Sequence, residues 1–174
     1  MDISMKAWLN GILVDWREAR VSPLSHSFNR ASAVFEDMAV VPAANGPAVI
    51  CLAEHVYRFF SSAEQVYMNL PYTPGQILDA VLATARSNRV ENGVVKCYAY
   101  YPDLDLGPVA PHDVSVAVFC LDYTVLGVEP DKYAHPLCVG ISSYRKLHPA
   151  TAAVHAKITG NYTNGYLART EVRR

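Results

Sequence analysis

Two helical patterns stand back to back in the middle of the chain, with strand-like runs on both sides of them and none between. This order argues against a persistent strand-helix-strand alternation, and so against a parallel sheet. In "LAEHVYRFFSSAEQVY", residues 52 to 67, apolar side chains fall at 52, 56, 59, 60, 63 and 66, a spacing of three and four that gathers them on one helical face. Arg58 lies off that face. The second helix is expected to start at Thr73, where Thr73-Pro74-Gly75-Gln76 supplies an N-cap, a proline in the first turn and a capping-box glutamine. Ile77, Val81, Leu82 and Ala85 would form its apolar face.

The flanking runs read as strands. "KAWLNGILVDW", residues 6 to 16, is a hairpin turned at Asn10-Gly11, the pair that most readily takes the positive φ angles of a type I′ turn. "AVFEDMAVVPAANGPAVIC", 33 to 51, repeats the device with longer strands around Pro42 and Asn45-Gly46. Three more strands are expected in "GVVKCYAYY" (93–101), "DVSVAVFCLDY" (113–123) and "PLCVGISSY" (136–144). The expectation is therefore an α+β domain with about seven strands, a mainly antiparallel sheet and two helices. With 174 residues, 51% of them apolar and 18% charged, the chain has material for one core. Residues 1–144 read as an N-terminal α+β domain, 145–156 as a linker, and 157–174 as the start of a further unit that is not completed.

Fifteen basic residues stand against sixteen acidic ones, for a net charge of -1 with no block of like charge, so electrostatic capture of nucleic acid or an anionic membrane is not expected. The apolar run near the N-terminus is broken by Asn10-Gly11 and followed by Asp15, unlike a secretory signal or a membrane span. Cysteines 51, 97, 120 and 138 stand apart without a paired spacing, and buried free thiols in a reducing, cytoplasmic setting are expected. The six histidines show no metal-ligand spacing with cysteines or carboxylates, and no metal site is expected.

Lys157 is the residue that asks for a chemical explanation. It stands among Ala153, Val154, Ala156 and Ile158, shortly before Gly160-Asn161-Tyr162. A lysine amine becomes a nucleophile when apolar surroundings or a nearby cation free it of its proton. Taken alone, the same pattern also describes a surface lysine whose stem lies on apolar neighbours, followed by an ordinary turn into a helix.

Taken together, four stretches narrow the choice. "AKITGNYTNGYLARTE" resembles the active-site lysine segment of the class IV, or fold-type IV, pyridoxal-phosphate enzymes, the family of branched-chain aminotransferase, D-amino-acid aminotransferase and aminodeoxychorismate lyase. "AWLNGILVDWREARVSPLSHSF" resembles that family's opening hairpin and histidine-containing loop, "AVFEDM" its Phe-Glu strand, and "LAEHVYRFFSSAEQV" its first helix with a His-x-x-Arg pair. The matches run in order through essentially the whole chain.

The resemblance implies a set of roles. Lys157 would hold pyridoxal 5'-phosphate as a Schiff base and shuttle the proton of the substrate α-carbon. Tyr162 would hydrogen-bond the cofactor's phenolic oxygen, and Arg58 would grip its phosphate. His55, three residues before Arg58, reads as structural. The family's Tyr-Gly, Phe-Glu-Gly-x-Arg and Tyr-x-Arg-Pro motifs fall here on Arg30-Ala31, Phe35-Glu36-Asp37-Met38-Ala39 and Ala99-Tyr100-Tyr101-Pro102. Two arginines are thus replaced by Ala39 and Tyr101, and Arg30 is new. Arg30, Phe35 and Tyr101 are candidate substrate-pocket residues, and the changed charges leave the choice of substrate open. The implied reaction is transamination between an amino acid and a 2-oxo acid in a homodimer. The alternatives are a lyase of the same family acting on an aminodeoxychorismate-like substrate, or a non-catalytic dimerisation module. The resemblance also implies a second domain after the lysine helix, so the 174 residues read as part of a longer product, as a short protein that has kept only this domain, or as one completed by a partner.

Overall fold

At the first turn, Asn10 and Gly11 take φ angles of 48° and 104° and join β1 (Lys6–Leu9) to β2 (Ile12–Asp15) as an antiparallel hairpin. The computed structural model describes residues 5–128, 136 and 139–173. Its remaining strands are β3 (Val34–Val41), β4 (Ala48–Val49), β5 (Gly93–Tyr100) and β6 (Ser115–Asp122). They form one six-stranded sheet in the order β2-β1-β6-β5-β3-β4, with every pair antiparallel. The α+β expectation holds. The return strand of the second hairpin is shorter than its sequence suggests, since β4 has two residues.

Between β2 and β3 the chain makes a short helix, α1 (His26–Arg30), which sequence reading treats as loop. The Ser25 hydroxyl accepts from the Phe28 amide at 3.2 Å and caps it. The two expected helices are α2 (Leu52–Gln65) and α3 (Pro74–Ser87), and a fourth, α4 (Thr163–Val172), follows the lysine segment. At the start of α3 the capping box is closed in both directions: Thr73 Oγ1 accepts from the Gln76 amide, and Gln76 Oε1 accepts from the Thr73 amide at 2.8 Å. The buried face of α3 is Ile77, Ala80, Val81 and Thr84, whereas Leu82, one residue beyond Val81, turns about 100° away from it.

Both long helices cover one face of the sheet. Val34, Met38 and Val40 of β3, Val95, Cys97 and Ala99 of β5, and Val116, Val118 and Cys120 of β6 meet Val56, Phe59, Ile77 and Val81 there. Because side chains alternate along a strand, Phe35, Asp37, Lys96, Tyr98, Tyr100, Ala117 and Phe119 project from the opposite face.

The seventh expected strand, 136–144, is absent from its described residues, 136 and 139–144; residues 137 and 138 lie outside the description. Glu171 of α4 holds this stretch instead. Its carboxylate accepts from the Ser142 and Ser143 hydroxyls and from the Ser143 amide, leaving Val139 and Ile141 exposed. The hydroxyls of this run are taken by a carboxylate of α4, and none of its described residues pairs with a strand. Residues 145–156 carry turns with no helix or strand. Among the described cysteines, Cys97 and Cys120 are buried free thiols as expected, but Cys51 is exposed, since it lies at the N-cap of α2 with a left-handed φ of 47° and not within a strand. Cys138 is outside the described residues. No helix among them is long and apolar enough to cross a membrane.

Candidate active site

Lys157 is fixed by its backbone before its side chain does anything. The Phe35 amide donates to the Lys157 carbonyl at 3.0 Å, the Thr159 amide to the Ala33 carbonyl at 2.9 Å, and Ile158 pairs with Val34, so residues 157–159 lie antiparallel along the free edge of β3. On the other side, the Lys157 amide donates at 2.9 Å to the hydroxyl of Ser62, a fully buried residue of α2. Asn161 ties down the approach, its side-chain amide donating to the carbonyls of Ala153 and Ala156 at 2.8 and 3.0 Å. The Gly160 amide and the Thr159 hydroxyl both donate to the Ala31 carbonyl, and a Cβ at Gly160 would come within 3.3 Å of that oxygen. The glycine and asparagine, which sequence reading takes for an ordinary turn, are what pin the lysine.

Edge pairing puts the Lys157 side chain on the same face as Phe35. Its Nζ lies 4.2 Å from the centre of the Phe35 ring, donates to the Tyr162 hydroxyl at 3.1 Å, and is 3.3 Å from Asp37 Oδ2. The side chain is only 16% exposed. This burial does not match the alternative of a surface lysine with a solvated amine. Tyr162 closes the 3-10 turn Thr159–Tyr162, and its ring packs 5.0 Å from that of Phe35. The other oxygen of Asp37 pairs with Lys96 Nζ at 2.8 Å, because Asp37 and Lys96 stand directly opposite in the β3-β5 register. Burial, the largest single influence on Lys96, pulls its pKa down, but the hydrogen bond and charge of Asp37, with a contribution from Tyr98, leave it above the ordinary lysine value.

Arg58 approaches from α2. Its Nε and one terminal nitrogen donate to the two oxygens of Glu36 at 2.6 and 2.7 Å, a bidentate fork on a carboxylate that is fully buried. His55 Nδ1 shares Glu36 at 2.8 Å, which gives that histidine the structural role expected of it. The Glu36 hydrogen bond is the main reason the Arg58 pKa lies above the ordinary arginine value, and Tyr162 and Asp37 add to it through their charges, which places the guanidinium in the electrostatic neighbourhood of the lysine cluster. About half of the Arg58 side chain is exposed, so donors not taken by Glu36 can meet an anion.

Of the six candidates, the structure brings Lys157, Tyr162 and Phe35 into contact, while Arg58 pairs with Glu36 and His55 and interacts with Tyr162 through charge. The structure does not bring Arg30 or Tyr101 there. Arg30 ends α1 with its guanidinium donating to the Leu106 carbonyl at 3.4 Å. Tyr101 is buried with the helix-side core, edge-on to His26 at 5.5 Å. Alternation along β5 explains the miss: Tyr98 and Tyr100 face the lysine side, and Tyr101 does not. Tyr98 stacks on Phe35 at 6.0 Å and lines, with Phe28, Tyr100, Phe119 and Thr159, an apolar cavity of about 400 Å³. Asp37, Lys96, Glu36 and Ser62 also contact the candidates, directly or through one another, and are not among the residues that the sequence singles out. No group of three or more potential metal ligands occurs among the described residues.

The family profile described as "Amino-transferase class IV" matches residues 33–174. The chain belongs to this family. Among curated members it is similar to the branched-chain-amino-acid aminotransferases of Pseudomonas aeruginosa, at 28% identity over 94% of this chain and 53% of that protein, and of Escherichia coli K12, at 26% identity over 96% and 54%. Among solved structures it is similar to the branched-chain aminotransferase of Thermoproteus uzoniensis, with a TM-score of 0.89 at 31% identity, covering 98% of this chain and 56% of that one. The Escherichia coli enzyme gives a TM-score of 0.85 at 22% identity over 99% and 57%, a likeness of fold. The fold is that of a domain of the fold-type IV aminotransferases, and the chain spans about half the length of the class IV relatives it matches.

Proposed function

We propose that this class IV chain serves a pyridoxal-phosphate-dependent transamination between an amino acid and a 2-oxo acid, with Lys157 as its reactive amine. The observation that supports it is the placing of the Lys157 nitrogen over the Phe35 ring, on the Tyr162 hydroxyl and largely out of water. The residues fit the cofactor by the chemistry of their donors. A sheltered amine, a phenol 3.1 Å from it and a guanidinium pre-aimed by a buried carboxylate are suited to an aldehyde, a phenolic oxygen and a phosphate. When bound, the cofactor supplies an aldehyde that condenses with an amine and a ring that accepts the electron pair left at a substrate α-carbon.

Within that reading each residue has a definite task. Arg58 would hold the phosphate with the donors that Glu36 leaves over, Tyr162 would hydrogen-bond the phenolic oxygen, and Phe35 would supply apolar contact. Lys157 Nζ is the atom that carries the α-proton, since backbone pairing at the β3 edge holds it in one place. The apolar cavity along Tyr98, Tyr100 and Phe119 suits an apolar substrate side chain. The division into a domain of residues 1–144, a linker of 145–156 and a further unit from 157 belongs to the same proposal, as do a homodimeric assembly and a cytoplasmic setting.

Adding pyridoxal phosphate to the purified chain tests the reading. An absorbance band that borohydride bleaches, with the reduced label recovered on the peptide containing Lys157, is expected, and Lys157→Ala should abolish it. Failure of the unaltered chain to form such a band, or its persistence in Lys157→Ala, would reject the assignment. Transfer of the amino group from an apolar amino acid to a 2-oxo acid then tests the reaction itself.

A further inference from the structure

Asp37 divides one carboxylate between two ammonium groups on the open face of the sheet. Oδ1 is 2.8 Å from Lys96 Nζ and Oδ2 is 3.3 Å from Lys157 Nζ. A merely structural cross-strand pair between β3 and β5 needs only one lysine. Here the second oxygen is turned along the sheet to the edge where residue 157 docks, and both cations stand above the same ring, with Nζ of Lys157 4.2 Å and Nζ of Lys96 6.0 Å from the centre of Phe35. Tyr162 from the turn is the other titratable group in contact with this nitrogen; Arg58 from α2 acts electrostatically on Tyr162 and Asp37, and Tyr98 from β5 on Lys96. Asp37 is the only carboxylate among the described residues that forms an ion pair with Lys157.

We infer that Asp37 is the counter-charge of the nitrogen Lys157 presents to an aldehyde, and that Lys96 is a positioning residue that aims Asp37 and tempers its charge. The inference rests on the Schiff-base reading of Lys157. In that condensation the neutral amine nitrogen adds to the aldehyde carbon, the carbonyl oxygen leaves as water with the two amine hydrogens, and a proton from solvent converts the resulting carbon-nitrogen double bond to its cationic form. A carboxylate within about 4 Å favours the cation, by roughly one to three pH units where water is partly excluded. Lys96 works against it by sharing the same carboxylate. The two residues therefore act on one equilibrium with opposite signs.

The test is a pH titration of the band formed by the chain with pyridoxal phosphate, followed in the unaltered chain, Asp37→Asn and Lys96→Met. The midpoint of the protonated-to-neutral change is expected to fall by about one pH unit in Asp37→Asn and to rise in Lys96→Met. Where Asp37→Asn does not fold, as judged by circular dichroism, the sign of the Lys96→Met shift decides. A midpoint indifferent to the substitutions, or moved in one direction by both, overturns the role of the pair while a borohydride-reducible band in the unaltered chain leaves the Schiff-base reading standing. Absence of that band overturns both.

Discussion

Glu36 shows how a buried residue outside the Lys157 cluster can fix the orientation of Arg58. It is fully buried on the helix side of β3, and its two oxygens are saturated by Arg58 and His55. A carboxylate in such a place is tolerated because a bidentate guanidinium and a histidine nitrogen meet it, and the geometry that satisfies Glu36 also dictates which edge of the guanidinium is left for an anion. Glu36→Gln keeps the shape but replaces one acceptor by a donor facing Arg58. It is expected to cost about 2 kcal/mol in urea unfolding and to weaken binding of pyridoxal phosphate more than that of pyridoxal, which lacks the phosphate. Equal weakening of the two would mean that Glu36 does not act through the phosphate site. Lys157, Arg58 and Tyr162 could be picked out because their segments resemble those of a known family, not because their local spacing alone is distinctive. Asp37 and Lys96 could not, since their meeting depends on the register between strands 59 positions apart, which no local pattern carries.

Elements were legible where their signals are local and were missed where they depend on a partner. The Asn10-Gly11 turn and the Thr73-Gln76 capping box need only adjacent residues, and both appear as read. Thr73→Ala should lower stability by about 1 kcal/mol, measured by urea unfolding; no change would mean that the box contributes nothing to α3. The strand expected at 136–144 failed for the opposite reason. Its apolar alternation is real, but Glu171 of α4 captures Ser142 and Ser143 first. Those hydroxyl bonds, with the Ser143 amide, hold the Glu171 carboxyl below the ordinary glutamate value. A lowered acid pKa means that the unfolded or detached form binds protons more readily, so the contact contributes above the ordinary glutamate pKa and is lost as pH falls through the depressed one. Limited proteolysis should therefore cut residues 139–144 faster at acid pH than at neutral pH, relative to a site in the sheet, and Glu171→Gln should remove that pH dependence. Gly93 marks a third kind of constraint. A Cβ there would sit inside contact distance of the Leu121 carbonyl oxygen and press on Val90, so Gly93→Ala should disrupt the β5-β6 pairing and cost more than 3 kcal/mol.

At the scale of the molecule, the buried core lies on one face of the sheet and the Lys157 cluster on the other, and the thiols report whether the core opens as one unit. Cys97 of β5 and Cys120 of β6 lie in the shared core under α2 and α3, whereas Cys51 is exposed at the start of α2. Burial raises both core thiols, Cys120 to about 12 and Cys97 further still. Since only a thiolate alkylates, the folded core is inert twice over, by access and by protonation. With iodoacetamide at neutral pH, Cys51 should react at the rate of an accessible thiol. Cys97 and Cys120 should react slowly, at a common rate that rises with urea, because both are freed by the same opening of a core that spans every long strand. A Cys120 rate well above that of Cys97 would reveal that β6 loosens independently of β3 and β5. The same shifts fix a direction for pH. Raised folded-state values mean that stability is fully present below the ordinary thiol pKa and declines as pH climbs from there toward the elevated ones, since the unfolded chain releases those protons first. Alkaline unfolding should accordingly begin near the ordinary thiol range in the unaltered chain and start later in a Cys97→Ala, Cys120→Ala double variant. Its neutral-pH stability should be lower, because two buried side chains have been shortened.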